Sequence, residues 1–366
     1  MNELIRCSRC IMDNSSDNKI RFDSNGYCNY CTAALEIKDH VYFPNDIGKQ
    51  KIESLVHELK VKNKNDKYDC LMGISGGLDS TYLAYLGYKW GLRIICVHVD
   101  DGFDSEITKN NLEKFKQATN FDFINIKPDA EQYNALTKAF LKAGVPNIAM
   151  PQDNILFAAV YDYAKRNKIK SFLSGTNFAL ECILQADNTH TAFDYTNIKD
   201  INKKYGERPI NKLLFATVTD RYMWKTRFGV QTITPLNYID YNRKRALNEL
   251  ADFCGFQYYG RKHLENMLTA FAQLYWFPKK FNVDKRTSHL SSMIISDQMT
   301  RDEAIKEYDE EPLYDDVQMN DYINTVNTKL GISDEEFGEI MAGEAKQHED
   351  YKTDIRLKFY KAIKNK

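Results

Sequence analysis

The sequence predicts an α/β protein, a doubly wound parallel sheet with a small four-cysteine module ahead of it and a helical region behind. Three observations carry this reading. Strand-like and helix-like runs alternate from Tyr68 to Asn177, the pattern of repeated strand–helix units that build a parallel sheet. Two Cys-x-x-Cys hooks fall within the first 31 residues, and the segment from Asp302 onward is mostly helical in pattern. The organisation expected is a cysteine module over residues 1–35, a nucleotide domain over 36–260 and a helical C-terminal region over 261–366.

Composition narrows the class. At 366 residues with 43% hydrophobic and 28% charged side chains, the chain can bury a sizeable core. No apolar run approaches the roughly 20 residues of a membrane helix, and the start Met1-Asn2-Glu3-Leu4-Ile5-Arg6 lacks the apolar stretch of a signal peptide. A cytoplasmic protein with no membrane insertion is expected. The 50 basic and 51 acidic residues balance to −1, against the basic excess of a dedicated nucleic-acid binder.

The hooks Cys7-Ser8-Arg9-Cys10 and Cys28-Asn29-Tyr30-Cys31 have the spacing of a tetrahedral four-cysteine zinc site. Two residues between ligands let a tight turn aim both thiolates at one ion, and Gly26 suits such a turn. Disulfides are disfavoured in a cytoplasmic chain. A redox hook normally opens a helix after a strand, and neither context is evident. An iron–sulfur cluster is the lesser alternative. Four thiolates leave no open coordination position, so Cys7, Cys10, Cys28 and Cys31 read as a structural Zn2+ centre. The isolated Cys70, Cys96, Cys182 and Cys254 read as small buried apolar residues.

Residues 36–66 read as a connector and a helix, with Ile52, Leu55, Val56 and Leu59 at helical spacing. The polar run Lys60–Lys67 is expected as a solvated loop. A strand is predicted over 68–74, a helix over 78–90 with Leu83, Tyr85 and Leu86 on one face, and a second strand over 93–99. The latter ends in Asp100-Asp101-Gly102. A polar helix over 105–119, a strand over 122–126, helices over 129–143 and 154–166 and a fourth strand over 170–174 follow. That last strand runs into Gly175-Thr176-Asn177. Ligands of such sheets bind beyond the C-terminal strand ends, where the loops 75–80, 100–102 and 175–177 all fall.

The first of these loops is Ser75-Gly76-Gly77-Leu78-Asp79-Ser80. Its glycines let the backbone approach an oxyanion, its N–H groups form an anion nest at a helix start, and Ser75, Ser80 and Thr81 add hydroxyls. Neither the Walker A nor the dinucleotide-binding glycine pattern is present. The hexapeptide resembles the PP-loop of the N-type ATP pyrophosphatases, the superfamily of GMP synthetase, NAD synthetase, asparagine synthetase and the tRNA thiolases. The resemblance implies an adenine nucleotide alpha hydrolase-like sheet that splits ATP into AMP and pyrophosphate at a carbonyl oxygen. It places Ser75, Gly76, Gly77, Leu78, Asp79 and Ser80 on the phosphates and Mg2+, and the strand end Val99, Asp100 and Asp101 at the adenosine. Gly175, Thr176 and Asn177, with Glu181 one turn on, would lie near the ribose and substrate.

Knuckle and loop together resemble the N-acetyl sugar amidotransferases of bacterial surface-polysaccharide and flagellin-glycan synthesis. The likeness extends over Pro151-Gln152-Asp153, Thr234-Pro235-Leu236, Tyr259–His263, Phe277–Phe281 and Asp284–Ser292, with Arg261 standing where the family pattern has glycine. It implies an ATP-dependent, AMP-forming conversion of an acetamido to an acetamidino group on a nucleotide-linked sugar, in lipopolysaccharide, O-antigen or flagellin glycosylation. An amide is a poor electrophile, so its oxygen is adenylylated and ammonia displaces AMP. The charge that develops calls for cations and dipoles aimed at it. Asp79, Lys279, Lys280, Lys285, Arg286 and His263 are the expected catalytic residues, with His289 as a second imidazole. Residue 2 is Asn2 and not cysteine, so an N-terminal cysteine glutaminase is not expected, and the resemblance implies ammonia from a separate glutaminase of the histidine-biosynthesis type.

Ser333-Asp334-Glu335-Glu336 reads as a helix start, and Tyr351–Ile363 as an amphipathic basic helix packed on the domain. Two other functions are consistent with a PP-loop beside cysteine hooks. A tRNA-thiolating enzyme would need a sulfur-handling cysteine near the loop and a basic surface. A non-enzymatic zinc adaptor would have no use for an intact hexapeptide.

Overall fold

The computed structural model describes residues 3–15 and 17–357. Helices α1 (Asn29–Val41) and α2 (Asp46–Lys62) lead into β1 (Cys70–Gly73), α3 (Leu78–Lys89), β2 (Ile94–Val99), α4 (Glu106–Ala118) and β3 (Asp122–Ile126). Next come α5 (Ala130–Ala143), α6 (Met150–Arg166), β4 (Ser171–Leu173), the short α7 (Phe178–Glu181), α8 (Tyr195–Tyr205) and α9 (Val218–Thr226). β5 (Gln231–Ile233) and α10 (Arg243–Cys254) close this part. The remainder is helical: α11 (Met267–Phe271), a π turn, α12 (Phe277–Phe281), α13 (Arg286–Ile295), α14 (Arg301–Glu310), α15 (Asp316–Leu330) and α16 (Asp334–Ala342).

All five strands are parallel, in the order β3-β2-β1-β4-β5. The chain builds outward from β1 to β3, then returns to lay β4 and β5 on the other side. Its direction therefore reverses between β1 and β4, which opens a crevice beyond their C-terminal ends. Leu71, Met72, Ile95 and Cys96 have no exposed surface, as expected of central strands covered on both faces. This is the doubly wound parallel sheet that the alternating pattern predicts. Capping residues set the starts of the helices beside it: Ser105 caps α4, Asp129 caps α5, and Ser333 accepts from the Glu336 N–H at the head of α16.

Several local expectations are corrected. β5 was not anticipated; its three residues, two of them polar and exposed, give too short a run to register as a strand. α2 continues to Lys62 into the stretch expected as loop, and α6 begins at Met150 rather than 154. Pro151 sits in its first turn, where the missing N–H has no helical partner to lose. The second cysteine hook does open a helix: Cys28 is the N-cap of α1 and its sulfur accepts from the Cys31 N–H, although among the described residues no strand precedes it. Cys70 and Cys96 are buried, but Cys182 and Cys254 are only half-buried. The predicted helix over Tyr351–Ile363 lies partly outside the described residues, and its 351–354 portion is not helical.

The cysteine module shares a core with the sheet. Its four cysteines are fully buried in the cluster that also holds Leu83, Ala179 and Met293. The Ile11 N–H donates to Ser291 Oγ of α13 at 3.2 Å. The Arg301 guanidinium, at the head of α14, donates to the carbonyls of Cys7 at 3.0 Å and Cys10 at 3.1 Å. Replacing Arg301 by Ala should therefore lower the unfolding free energy by about 2 kcal/mol, the scale of hydrogen bonds from a charged donor. Urea denaturation at 25 °C checks this; an unchanged midpoint would show that the clamp contributes nothing.

Candidate active site

The loop after β1 is shaped before any ligand arrives. Gly76 has φ +78°, and a Cβ there would stand 2.6 Å from Thr108 Cγ2. Such a left-handed, crowded position admits only glycine. Ser75 Oγ accepts from the Gly77 N–H at 3.1 Å and bonds to Ser80 Oγ at 3.1 Å, while the Ser75 N–H also reaches Ser80 Oγ. The Leu78 N–H donates to the buried Tyr259 hydroxyl at 2.8 Å. The N-terminus of α3 is thereby aimed into the crevice, where its dipole and N–H groups favour an anion. Across the switch point, Gly175 rests against this turn: a Cβ on it would lie 3.1 Å from Ser80 N.

Beneath the loop, His98 Nδ1 faces the Ile74 carbonyl and Nε2 faces Asp104 Oδ2, each at 2.8 Å. Two acceptors require two N–H groups, so this imidazole carries both protons. Burial opposes that charge, but the Asp104 carboxylate and the carbonyl outweigh it and hold the pKa above the ordinary histidine value.

Asp79, in the first turn of α3, is held by the Tyr241 hydroxyl on one oxygen and by the Lys262 ammonium on the other. Lys262 Nζ also lies 3.0 Å from Glu181 Oε1, and Glu181 Oε2 accepts from the Asn177 N–H at 3.2 Å. Burial works against the Asp79 carboxylate, yet the charge and hydrogen bond of Lys262 and the bond from Tyr241 hold it below the usual carboxylate range. The same two carboxylates keep the Lys262 ammonium charged against its own burial. His263, at φ +63°, sits beside this group. Enclosure first, and then the Lys262 charge, push its pKa down to about 3, and His289, 5.8 Å away ring to ring, is likewise lowered. Two neutral imidazoles thus stand at one wall.

The cleft between these elements encloses about 350 Å³. Of the residues expected on the nucleotide, Ser75, Gly77, Leu78, Asp79, Ser80, Val99, Gly175, Thr176 and Glu181 line it. Gly76, Asp100 and Asn177 do not. Gly76 shapes the turn, Asn177 caps α7 through the Leu180 N–H, and Asp100 turns outward to pair with Lys127 at 3.0 Å. Its neighbour Asp101 takes the inward place, accepting from Tyr133, Gln152, Asn266 and the Phe103 N–H.

Asp79 and His263 line the cleft, but Lys279, Lys280, Lys285 and Arg286 do not. Lys280 donates to the carbonyls of Ile340 and Gly343 at the end of α16. Arg286 is spent on Asp284 and the Glu311 carbonyl, Lys279 is exposed, and Lys285 lies over the Phe277 ring, its pKa lowered to about 8 by burial. Neighbours in sequence, these cations diverge because the chain turns between α12 and α13. Among the described residues the cations that do line the cleft are Lys262 and Arg243, together with the unanticipated Glu265 and Tyr259. Lys262 and Tyr259 lay inside the Tyr259–His263 stretch, but a lone lysine in a loop has no periodicity to mark it. Arg261, where glycine was expected, anchors that stretch by donating to the carbonyls of Leu313 and Pro312.

The four cysteine sulfurs form a separate centre. All lie within 4.8 Å of one another, with Cys7–Cys31 at 3.7 Å and Cys10–Cys28 at 3.6 Å. A tetrahedral ion with ligand bonds of about 2.3 Å sets its donors about 3.8 Å apart, so this group fits one metal ion. Backbone N–H groups of Cys10, Cys28 and Cys31 point at sulfur, and Arg9 Nη1 lies 3.7 Å from Cys31 Sγ, all favouring thiolates. No cysteine among the described residues lines the cleft. Cys70 lies at the far end of β1, and the Cys182 thiol, pushed up to about 11 by burial, turns to the Ser292 carbonyl.

Residues 265–364 match the family described as LPS biosynthesis protein WbpG-like, C-terminal domain. An uncharacterized protein of Methanocaldococcus jannaschii is 26% identical over 142 residues, 38% of this chain and 48% of the relative, so the match spans about half of that protein. Among solved structures, NMN synthetase from Francisella tularensis is 15% identical at TM-score 0.35, covering 78% of this chain and 97% of its own. The U34-tRNA thiolase NcsA from Methanococcus maripaludis, with its 4Fe–4S cluster, is 13% identical at TM-score 0.34, covering 90% and 89%. The NH3-dependent NAD synthetase from Campylobacter jejuni is 15% identical at TM-score 0.32, covering 78% and 97%.

Replacing Lys262 by Met would leave two enclosed carboxylates facing each other. A loss of about 3 kcal/mol of stability at pH 7 is expected, the scale for stripping one partner from a buried ion pair. A carboxyl held low stabilises the fold at neutral pH and loses that contribution as pH falls through its lowered pKa. The gap between wild type and variant should therefore narrow in acid, as denaturation at stepped pH will show; a gap that widens in acid contradicts the assignment.

Proposed function

We propose, from the premise that residues 265–364 form a WbpG-like LPS-biosynthesis domain, that the chain is an ATP-dependent, AMP-forming amidotransferase acting on an N-acetyl sugar. The observation that carries this reading is the composition of the cleft. One wall is the phosphate-type loop at the head of α3, and the facing wall, with Glu265, Asn266, Thr269, His289 and Met293, comes from the matched domain. A nucleotide seated on the loop would thus meet its second substrate against the part of the chain linked to polysaccharide synthesis.

The chemistry follows from the amide. Its oxygen takes the α-phosphorus of ATP with loss of pyrophosphate, ammonia adds to the activated carbon, and AMP departs with the oxygen, leaving an amidine. Ser75, Ser80 and the N–H groups of the loop hold the departing phosphates. Lys262, fixed between Asp79 and Glu181, holds the loop after β1 against α7, so the phosphate-binding groups are preorganised and need not reorient during the reaction. His263 and His289, neutral in the free protein, offer a lone pair and an N–H to orient the incoming ammonia. The Mg2+ that accompanies ATP supplies neutralisation of phosphate charge. The sugar is read as nucleotide-linked and ammonia as the product of a separate glutaminase. The four-cysteine centre is read as structural Zn2+: it is closed, fits one ion, and buttresses α13, whose Met293 reaches the cleft. The absence of a cysteine from the described cleft weighs against sulfur transfer to tRNA. No described helix is long and apolar enough to cross a membrane.

The protein incubated with ATP, magnesium, an ammonium salt and a panel of nucleotide-linked N-acetyl sugars should yield AMP, pyrophosphate and a sugar in which NH replaces O by mass. Turnover seen only with tRNA and a sulfur donor would overturn this. Asp79→Ala should lower turnover at least about a hundredfold while the chain still unfolds cooperatively. By contrast, Cys28→Ser should lose the bound zinc by elemental analysis and melt earlier, because it removes a metal donor while its hydroxyl can still cap α1. Full metal content in that variant would refute the four-thiolate centre.

A further inference from the structure

Glu265 stands where the C-terminal helical region meets the phosphate-type loop. Its Oε1 lies 3.4 Å from Ser75 Oγ, and a Cβ on Gly77 would stand 2.6 Å from the same oxygen. The second glycine of the loop therefore makes room for this carboxyl group as well as for phosphate. Its Oε2 is buried and has no hydrogen-bond partner.

A bare carboxylate beside an anion-binding turn competes with any phosphate that binds there, since the turn attracts what the carboxylate repels. Once phosphates occupy the loop, their charge must be separated from Glu265 by a cation. Lys262 is engaged by Asp79 and Glu181, and no other described lysine or arginine except Arg243 lines the cleft. Arg243 reaches toward Glu307, at 3.7 Å. The oxygens nearest the conflict are carboxylate and hydroxyl, the hard donors of Mg2+, which is typically bound by one or two carboxylates together with substrate phosphates.

We propose that Glu265 is a divalent-cation ligand, through which the C-terminal region grips the phosphates of a nucleotide held by the loop. The proposal rests on the ATP reading above, and its test separates the two. Mn2+ serves as a paramagnetic probe, and a non-hydrolysable ATP analogue as the nucleotide, with the full chain in wild-type and Glu265→Gln forms. In the wild type Mn2+ should tighten nucleotide binding. In Glu265→Gln that tightening should fall by at least about tenfold, the scale that partners of a metal site command. Nucleotide without metal should bind the variant as well as or better than the wild type, because a repelling charge has gone. Glu265→Asp, which keeps the charge, should recover part of the metal effect. A purely structural role would lower binding with and without Mn2+ alike, and that outcome overturns the proposal. So does a Glu265→Gln protein that keeps the full Mn2+ effect. A wild type that binds no nucleotide under either condition would sink the ATP reading itself.

Discussion

A lysine from beyond the sheet, Lys262, neutralises two carboxylates that the sheet's own loops bring together, and much of the cleft depends on that contact. Asp79 lies in the first turn of α3, after β1, and Glu181 ends α7, after β4, so the segments that follow the two strands flanking the switch point are tied through one ammonium group. Without it, adjacent enclosed carboxylates would repel across the crevice that the topology opens. With it, the head of α3 stays aimed at the cleft, and the Tyr259–His263 stretch is drawn against the loop, where Tyr259 accepts from the Leu78 N–H. Charge here organises geometry: the ion pair is enclosed, and its geometry is reinforced by Tyr241 and by the Asn177 N–H.

The cysteine centre and the cleft communicate through α13. One face of that helix meets the knuckle through Ser291, beside the Arg301 clamp from α14, and Met293 and His289 line the cleft. A small segment with little apolar surface of its own thus becomes the backing for one wall of the cleft. That arrangement gives a buried four-cysteine group, placed outside the cleft lining, a structural place in such a chain.

The parts of the fold that were legible in the sequence were those with local causes. The strands β1 to β4 announce themselves as short apolar runs, the helices by spacing and caps, and the loop by glycines that no other residue could replace. β5 was illegible because three half-polar residues become a strand only when β4 offers them an edge. The basic segment at 279–286 misled for a related reason. Its residues are adjacent in sequence, but Lys280 and Arg286 are drawn to backbone carbonyls of different helices, and those carbonyls exist only in the folded protein.

By itself the sequence determined the parallel sheet, the position of the ligand crevice, the phosphate-type loop and the four-thiolate centre. Each follows from contacts between residues close in the chain or from a periodicity within one element. The tertiary structure alone decided which charges enter the cleft. It brought Lys262, Glu265 and Tyr259 against a loop some 180 residues away, and it turned Asp101 inward while Asp100 faces Lys127. Long-range placement depends on how separate elements pack, and a pair of charges distant in sequence leaves no periodic trace to read.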